Sequence, residues 1–235
     1  FRRGWERRMQ LYAREKGSGQ PLILLHGNGE DSTYFEKQME YFSKKYRVFA
    51  LDTRGHGRSP RGQGRFALER FAEDLRCFLD QKRLRRVILL GFSDGGNIAL
   101  IFALRYPAYV DRLILNGANL NPFGMKVPVL LEVAGEYGAA CFREAVSGRG
   151  QKRNSACRKT ASSCAGKASE KELLGLMLRE PWIRPQLLRR LKMPVLVIAG
   201  TDDMIRERHT RKMAGQFPEG RLKILEGNHF IAAER

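Results

Sequence analysis

The chain has 235 residues, 43% of them hydrophobic, and 43 Lys and Arg against 25 Asp and Glu, for a formal charge of +18. That length allows one sizeable core with an insertion but not two independent domains, and no apolar run approaches the roughly 18 residues needed to span a bilayer. The basic residues are scattered (Arg2, Arg3, Arg7 and Arg8; Lys82, Arg83, Arg85 and Arg86; Arg149, Lys152, Arg153, Arg158 and Lys159) with no interleaved aromatics, so the charge reads as a solvated surface and nucleic acid is not an expected partner.

The opening, Phe1-Arg2-Arg3-Gly4-Trp5, has neither a Met nor the apolar core of a signal peptide, so a trimmed N-terminus is expected. Gln20 to Leu25 is a continuous apolar run of strand length, the pattern of a parallel strand covered on both faces, and it ends in His26-Gly27-Asn28-Gly29. Asp31-Ser32-Thr33 offers N-cap residues for a helix carrying Phe35, Met39 and Phe42. Tyr46 to Leu51 repeats the strand pattern and runs into a glycine-rich turn, Asp52 to Ser59, which Asp52 and His56 are read as bracing. Leu68, Phe71, Leu75, Phe78 and Leu79 make one helical apolar stripe. Cys77 falls on that face as a buried, reduced thiol. The four cysteines lack metal spacing, which points to the cytoplasm.

Strands are predicted at 87–90 and 113–115, with a helix over 97–104 between them. Later come a strand at 194–199, a helix from about 207 to 217 and a strand at 222–225. This alternation predicts an α/β fold: a mostly parallel, doubly wound sheet flanked by helices. Residues 1–120 and 189–235 form its two parts. Residues 121–188 break the rhythm and read as an inserted, partly degenerate cap over the carboxyl edge of the sheet. Within it, 127–133 and 171–178 can form helix. The small and basic residues near 148–169 cannot bury enough surface to offset chain entropy, so poor order is expected there.

Gly91-Phe92-Ser93-Asp94-Gly95-Gly96 sits between an apolar strand and a helix. A serine at the tip of such a turn needs small neighbours, and Gly91 and Gly95 supply them. The helix N-terminus beneath it favours developing negative charge. An ordinary Gly/Ser turn is the plainer alternative. Further along, Asp202 and Asp203 follow Gly200-Thr201, and His229 ends the last strand. The order Ser…Asp…His suits an elbow-type nucleophile. In that arrangement His229 takes the proton of Ser93, a carboxylate fixes the imidazole, and the backbone N–H groups of Asn28 and Asp94 hold the oxyanion. Asp203 is preferred as the acid, with Asp202 as the alternative. Asn116, at the other position where an acid could stand, cannot carry charge. His26 is read as a structural hydrogen-bonder and His209 as solvated.

With those motifs in place, the chain resembles the α/β-hydrolase superfamily over residues 9–120 and 191–229. The segments carrying the resemblance are His26 to Gly29, Asp52 to Ser59, Gly91 to Gly96, Gly200 to Asp203 and Gly227 to Phe230. It puts the acid three residues after Gly200, at Asp203. Asp94 after the nucleophile is similar to valacyclovir-hydrolase-like small esterases. The resemblance implies a serine hydrolase that cleaves a carboxylic ester of a small molecule through an acyl-enzyme, without cofactor or metal. Carbon–carbon, thioester or amide cleavage by the same residues is one alternative, and a non-catalytic basic binding protein on this scaffold is another. Fold alone does not choose between them. Family members continue past the histidine into a C-terminal helix, whereas this chain stops at Arg235. An uncovered sheet face, with possible self-association, is the expectation.

Overall fold

The computed structural model describes residues 9–151 and 166–234. Its seven strands are β1 (Ala13–Lys16), β2 (Pro21–Leu25), β3 (Arg47–Leu51), β4 (Val87–Phe92), β5 (Val110–Asn116), β6 (Val195–Asp202) and β7 (Gly220–Asn228). They form one sheet in the order β1-β3-β2-β4-β5-β6-β7, with β1 antiparallel and every other pair parallel. The helices are α1 (Glu36–Phe42), α2 (Leu68–Gln81), α3 (Asp94–Arg105), α4 (Val127–Gln151), α5 (Glu170–Arg179), α6 (Glu207–Ala214) and a short α7 (Ile231–Glu234).

The central strands read as unbroken apolar runs because both of their faces are covered. Ile23, Leu25, Phe49, Leu51, Val87 and Leu89 face one layer, where the Leu68, Phe71, Leu75, Phe78 and Leu79 stripe of α2 packs with α3. Leu22, Leu24, Val48, Ala50, Ile88 and Leu90 face the other, against Phe35 and Met39 before and in α1. Cover on this second face thins toward β6 and β7, where Leu196 and Ile198 are half-buried and Leu225 is exposed.

Register brings the strand ends to one edge. Leu25 pairs with Gly91, Phe92 with Asn116, Asn116 with Ile198 and Asp202 with Asn228. The last two strands run past their predicted ends at 199 and 225 because their pairing continues through a register shift between Gly200 and Asp202. The edge strand β1 is an addition to the predicted set. Its Ala-Arg-Glu-Lys sequence has no apolar alternation, and only pairing with β3 makes it a strand.

Between β5 and β6, α4 and α5 interrupt the alternation and are joined by Arg143–Glu170 and Lys171–Glu144 ion pairs, both at 2.6 Å. Residues 152–165, the middle of the stretch expected to be poorly ordered, lie outside the described residues. On its two sides, 148–151 end α4, and Gly166 O and Ala168 N bond the Arg61 amide and the Gly55 carbonyl, each at 2.8 Å. Among the described residues no helix is long and apolar enough to cross a membrane.

Candidate active site

The turn from β4 into α3 holds Ser93 at φ 51° and ψ −120°, a positive-φ conformation that costs a non-glycine residue on the order of 1–3 kcal/mol. Its surroundings enforce it. Ser93 N–H donates to Asn116 O at 2.8 Å, and Ser93 O accepts from Asn97 N at 3.1 Å. A Cβ on Gly91 would lie 2.2 Å from Gly95 O, and one on Gly95 would lie 2.1 Å from Leu25 O. Strand, turn and helix can approach this closely only with glycine at both positions.

Three side chains from separate strand ends converge there. His229 Nε2 is 3.0 Å from Ser93 Oγ, and His229 Nδ1 is 2.7 Å from Asp203 Oδ1. With the Nδ1–H donating its hydrogen bond to the carboxylate, Nε2 is left as the acceptor facing the hydroxyl. Asp203 is 2% exposed; Oδ1 also accepts from Ile205 N at 2.9 Å and Oδ2 from Gly200 N at 3.4 Å. Phe92 and Phe230 flank the imidazole, with ring centroids 4.9 and 5.6 Å away. The alternative acid, Asp202, points into solvent and pairs with Lys126 at 2.6 Å.

Asp94 opens α3, so its N–H has no intrahelical acceptor. The closeness of Gly95 to the Leu25 and His26 carbonyls sets this helix end against the loop that carries Asn28. Asn28 Nδ2 donates to Leu173 O on α5 at 2.9 Å, tying that loop to the inserted helices. Beneath the loop, His26 donates from Nδ1 to Gly27 O at 2.7 Å and accepts from Thr53 N at Nε2 at 3.0 Å. Burial, followed by the neighbouring His56, pushes the His26 pKa down to about 4, which suits this neutral tautomer. His56 Nδ1 meets Arg54 O at 3.0 Å, and Asp52 accepts from Ser32 N and Arg58 N, both at 2.7 Å. These three residues brace the loops, as read from the sequence.

Other polar groups crowd this edge, and of these the hydrogen bonding of Glu30, Asn97 and Asn119 carries no sequence signal. The Asp94 carboxylate is 8% exposed, and burial raises its pKa to about 6 against the opposing pull of Asn97 and Asn28. Its Oδ1 accepts from Asn97 Nδ2 at 3.1 Å, while Oδ2 has no hydrogen bond of normal geometry among the described residues. Asn97 also pairs reciprocally with Asn119, at 2.9 Å in each direction. Glu30, half-buried, accepts from Gly27 N at 3.0 Å, and burial raises its pKa to about 7. Asn116 is buried with both side-chain polar atoms unpaired among the described residues. His209 differs from its solvated reading: it is half-buried, and Nε2 accepts from Leu120 N at 2.9 Å, because the loop after β5 folds over α6.

The family model for the alpha/beta hydrolase fold matches residues 20–138, and the chain belongs to that family. Among curated proteins it is similar to the 2-hydroxy-6-oxo-2,4-heptadienoate hydrolase of Pseudomonas putida, 39% identical over 106 residues, covering 43% of this chain and 38% of that protein. It is also similar to serine hydrolase BPHL of Homo sapiens, 43% identical over 51 residues, covering 22% of this chain and 18% of that protein. The aligned segments thus span well under half the length of these relatives. Among solved structures, an esterase from Thermogutta terrifontis superposes with a TM-score of 0.74 at 24% identity, covering 96% of this chain and 88% of that one.

Proposed function

We propose that the chain is a serine hydrolase that cleaves a carboxylic ester of a small molecule through an acyl-enzyme. The supporting observation is the unbroken contact from Asp203 through His229 to Ser93, at 2.7 and 3.0 Å. Ser93 Oγ attacks the acyl carbon while its proton passes to His229 Nε2. Asp203 holds the ring and stabilises the imidazolium. The carbonyl oxygen becomes an oxyanion, which the N–H groups of Asn28 and Asp94 receive. Collapse breaks the bond to the leaving alkoxide, which takes the proton from His229. Water, deprotonated by the same imidazole, then attacks the acyl-serine and returns Ser93. In this reading α4 and α5 form the cap and the protein works in the cytoplasm.

The Pseudomonas putida relative favours a second reading, in which the same residues cleave a carbon–carbon bond of a dienoate. A fluorophosphonate probe tests the first step: wild type should be labelled and Ser93→Ala should not. Equal labelling of both removes Ser93 from the mechanism. A panel of short p-nitrophenyl esters, thioesters and dienone acids then ranks the bond types. Turnover of dienone acids alone would replace the ester reading with the second.

A further inference from the structure

Glu30 stands one residue beyond the tip of the loop that carries Asn28, and its carboxylate turns back to receive the Gly27 N–H at 3.0 Å. The Glu30 N–H in turn reaches Gly27 O at 3.4 Å, the oxygen that His26 Nδ1 also holds. Between these anchors lie Asn28 and Gly29, the latter at φ 78°, a tight turn that glycine enters without strain. Glu30 Oε2 and the Phe92 ring both crowd Gly27, since a Cβ built there would be 3.1 Å from each. Tyr34 stacks on that ring, with centroids 4.6 Å apart and planes at 3°.

We infer that Glu30 is a positioning residue: by holding the Gly27 amide it fixes the turn that aims the Asn28 N–H at the oxyanion. The inference rests on the hydrolase reading for its catalytic consequence but not for the contact itself. An oxyanion donor is effective only when it is held in place before charge develops, and a turn anchored at one end alone would let the Asn28 amide swing. The titratable groups around Glu30 are Asp31 beside it, Tyr34 in the turn before α1, His229 after β7 and, beyond Tyr34, Glu234 on α7. Burial outweighs the pull of Gly27 and His229 and carries the Glu30 pKa to about 7, so its charge changes within the working range of a histidine base.

Two variants and one resonance test this. Glu30→Ala removes the acceptor, while Glu30→Gln keeps an oxygen for the Gly27 N–H without the charge. On an ester that wild type hydrolyses, Glu30→Ala should lower kcat by roughly 10- to 100-fold with KM within about 3-fold, and Glu30→Gln should recover to within about 5-fold of wild type. An undiminished turnover rate in Glu30→Ala, or a loss that Glu30→Gln does not relieve, overturns the assignment. Independently of turnover, protein labelled with 13C-histidine and 15N-glycine reports only the amides of Gly27 and Gly57, since His26-Gly27 and His56-Gly57 are its two His-Gly pairs. The Gly27 amide should titrate with a midpoint of about 7 and lose that step in Glu30→Gln. A Gly27 amide insensitive to pH, or a step that survives in Glu30→Gln, also overturns it. If wild type neither takes up fluorophosphonate nor hydrolyses any ester, the hydrolase reading fails by itself, and the Gly27 resonance still decides whether Glu30 holds the turn.

Discussion

The His229 imidazole rests directly on the backbone of Gly117: a Cβ there would come within 2.6 Å of Cε1 and 2.9 Å of Nδ1. Gly117 follows β5 at φ 62° and bonds Ile198 O at 3.0 Å through its amide, so it cannot retreat without breaking the sheet edge. Gly117→Ala should therefore push the ring off its line to Ser93 Oγ. Turnover should slow by roughly 10-fold or more with a smaller change in KM, because misplacing a reacting group by about 1 Å costs on the order of 10²-fold. Ester kinetics together with the rate of fluorophosphonate labelling would measure it, and an unchanged labelling rate would contradict it.

Asp202 and Asp203 offer a matched pair. The Asp203 carboxylate is buried against His229, whereas the Asp202 side chain is 84% exposed and pairs with Lys126. Asp203→Asn keeps the shape but turns the tautomer preference against the mechanism, and kcat should fall by about 10³- to 10⁴-fold. Asp202→Asn should leave kcat within about 2-fold. Steady-state kinetics of the two variants, side by side, checks both. Comparable losses would mean that burial does not select the acid.

Legibility follows the kind of constraint involved. Gly91, Ser93 and Gly95 can be read from sequence because close backbone approach excludes every other residue type at the glycine positions, and exclusion leaves a pattern. The apolar runs of β2, β3 and β4 can be read because burial on both faces removes polar residues from each. Residue type does not choose between Asp203 and Asp202, since both are acids after Gly200; the spacing implied by the family resemblance prefers Asp203, and in the structure burial separates the two. Glu30, Asn97 and Asn119 leave no trace. A hydrogen bond between Asn97 and Asn119 depends on where α3 meets the loop after β5, and no spacing rule links positions so related. His209 looks solvated in the sequence for the same reason: its partner, Leu120 N, belongs to a distant loop.

Asp94 should make the protein less stable than it could be at neutral pH. Its pKa stands at about 6 in the folded chain against 3.8 when solvated, so the folded state binds the proton more tightly. Stability linked to this group is therefore fullest below about pH 4 and falls as pH rises toward 6, then levels. Asp94→Asn never ionises and escapes that loss. Its Tm should exceed wild type at pH 8, by a free energy on the order of 1–3 kcal/mol, and the gap should close as pH falls to 4. Thermal melts across that range would show it, and a gap independent of pH would mean the carboxylate is not the cause.

Arg54 and Asp74 form a buried ion pair, 3% and 7% exposed, with Arg54 Nε and Nη2 on the two carboxylate oxygens at 2.7 and 2.6 Å. Arg54 also reaches Arg61 O at 3.2 Å, so the pair joins α2 to the glycine-rich loop after β3. That loop bonds Gly166 and Ala168 through Arg61 N and Gly55 O, and Arg61 itself bonds Glu172 on α5 at 2.9 Å. Asp74→Ala leaves a guanidinium buried without its counter-charge, which typically costs about 3–5 kcal/mol and should lower Tm by roughly 6–20 °C in a chain of this size. Replacing both partners by apolar residues, Arg54→Met with Asp74→Leu, should cost less than Asp74→Ala alone, since no charge is then stranded. The double variant should nevertheless cleave faster than wild type under limited proteolysis at 61–63 and 166–169, because the link from α2 to those segments is gone. Melting curves and a time course of proteolysis separate the two consequences: recovered Tm with unchanged cleavage would show that Arg54 stabilises the core without ordering the loop.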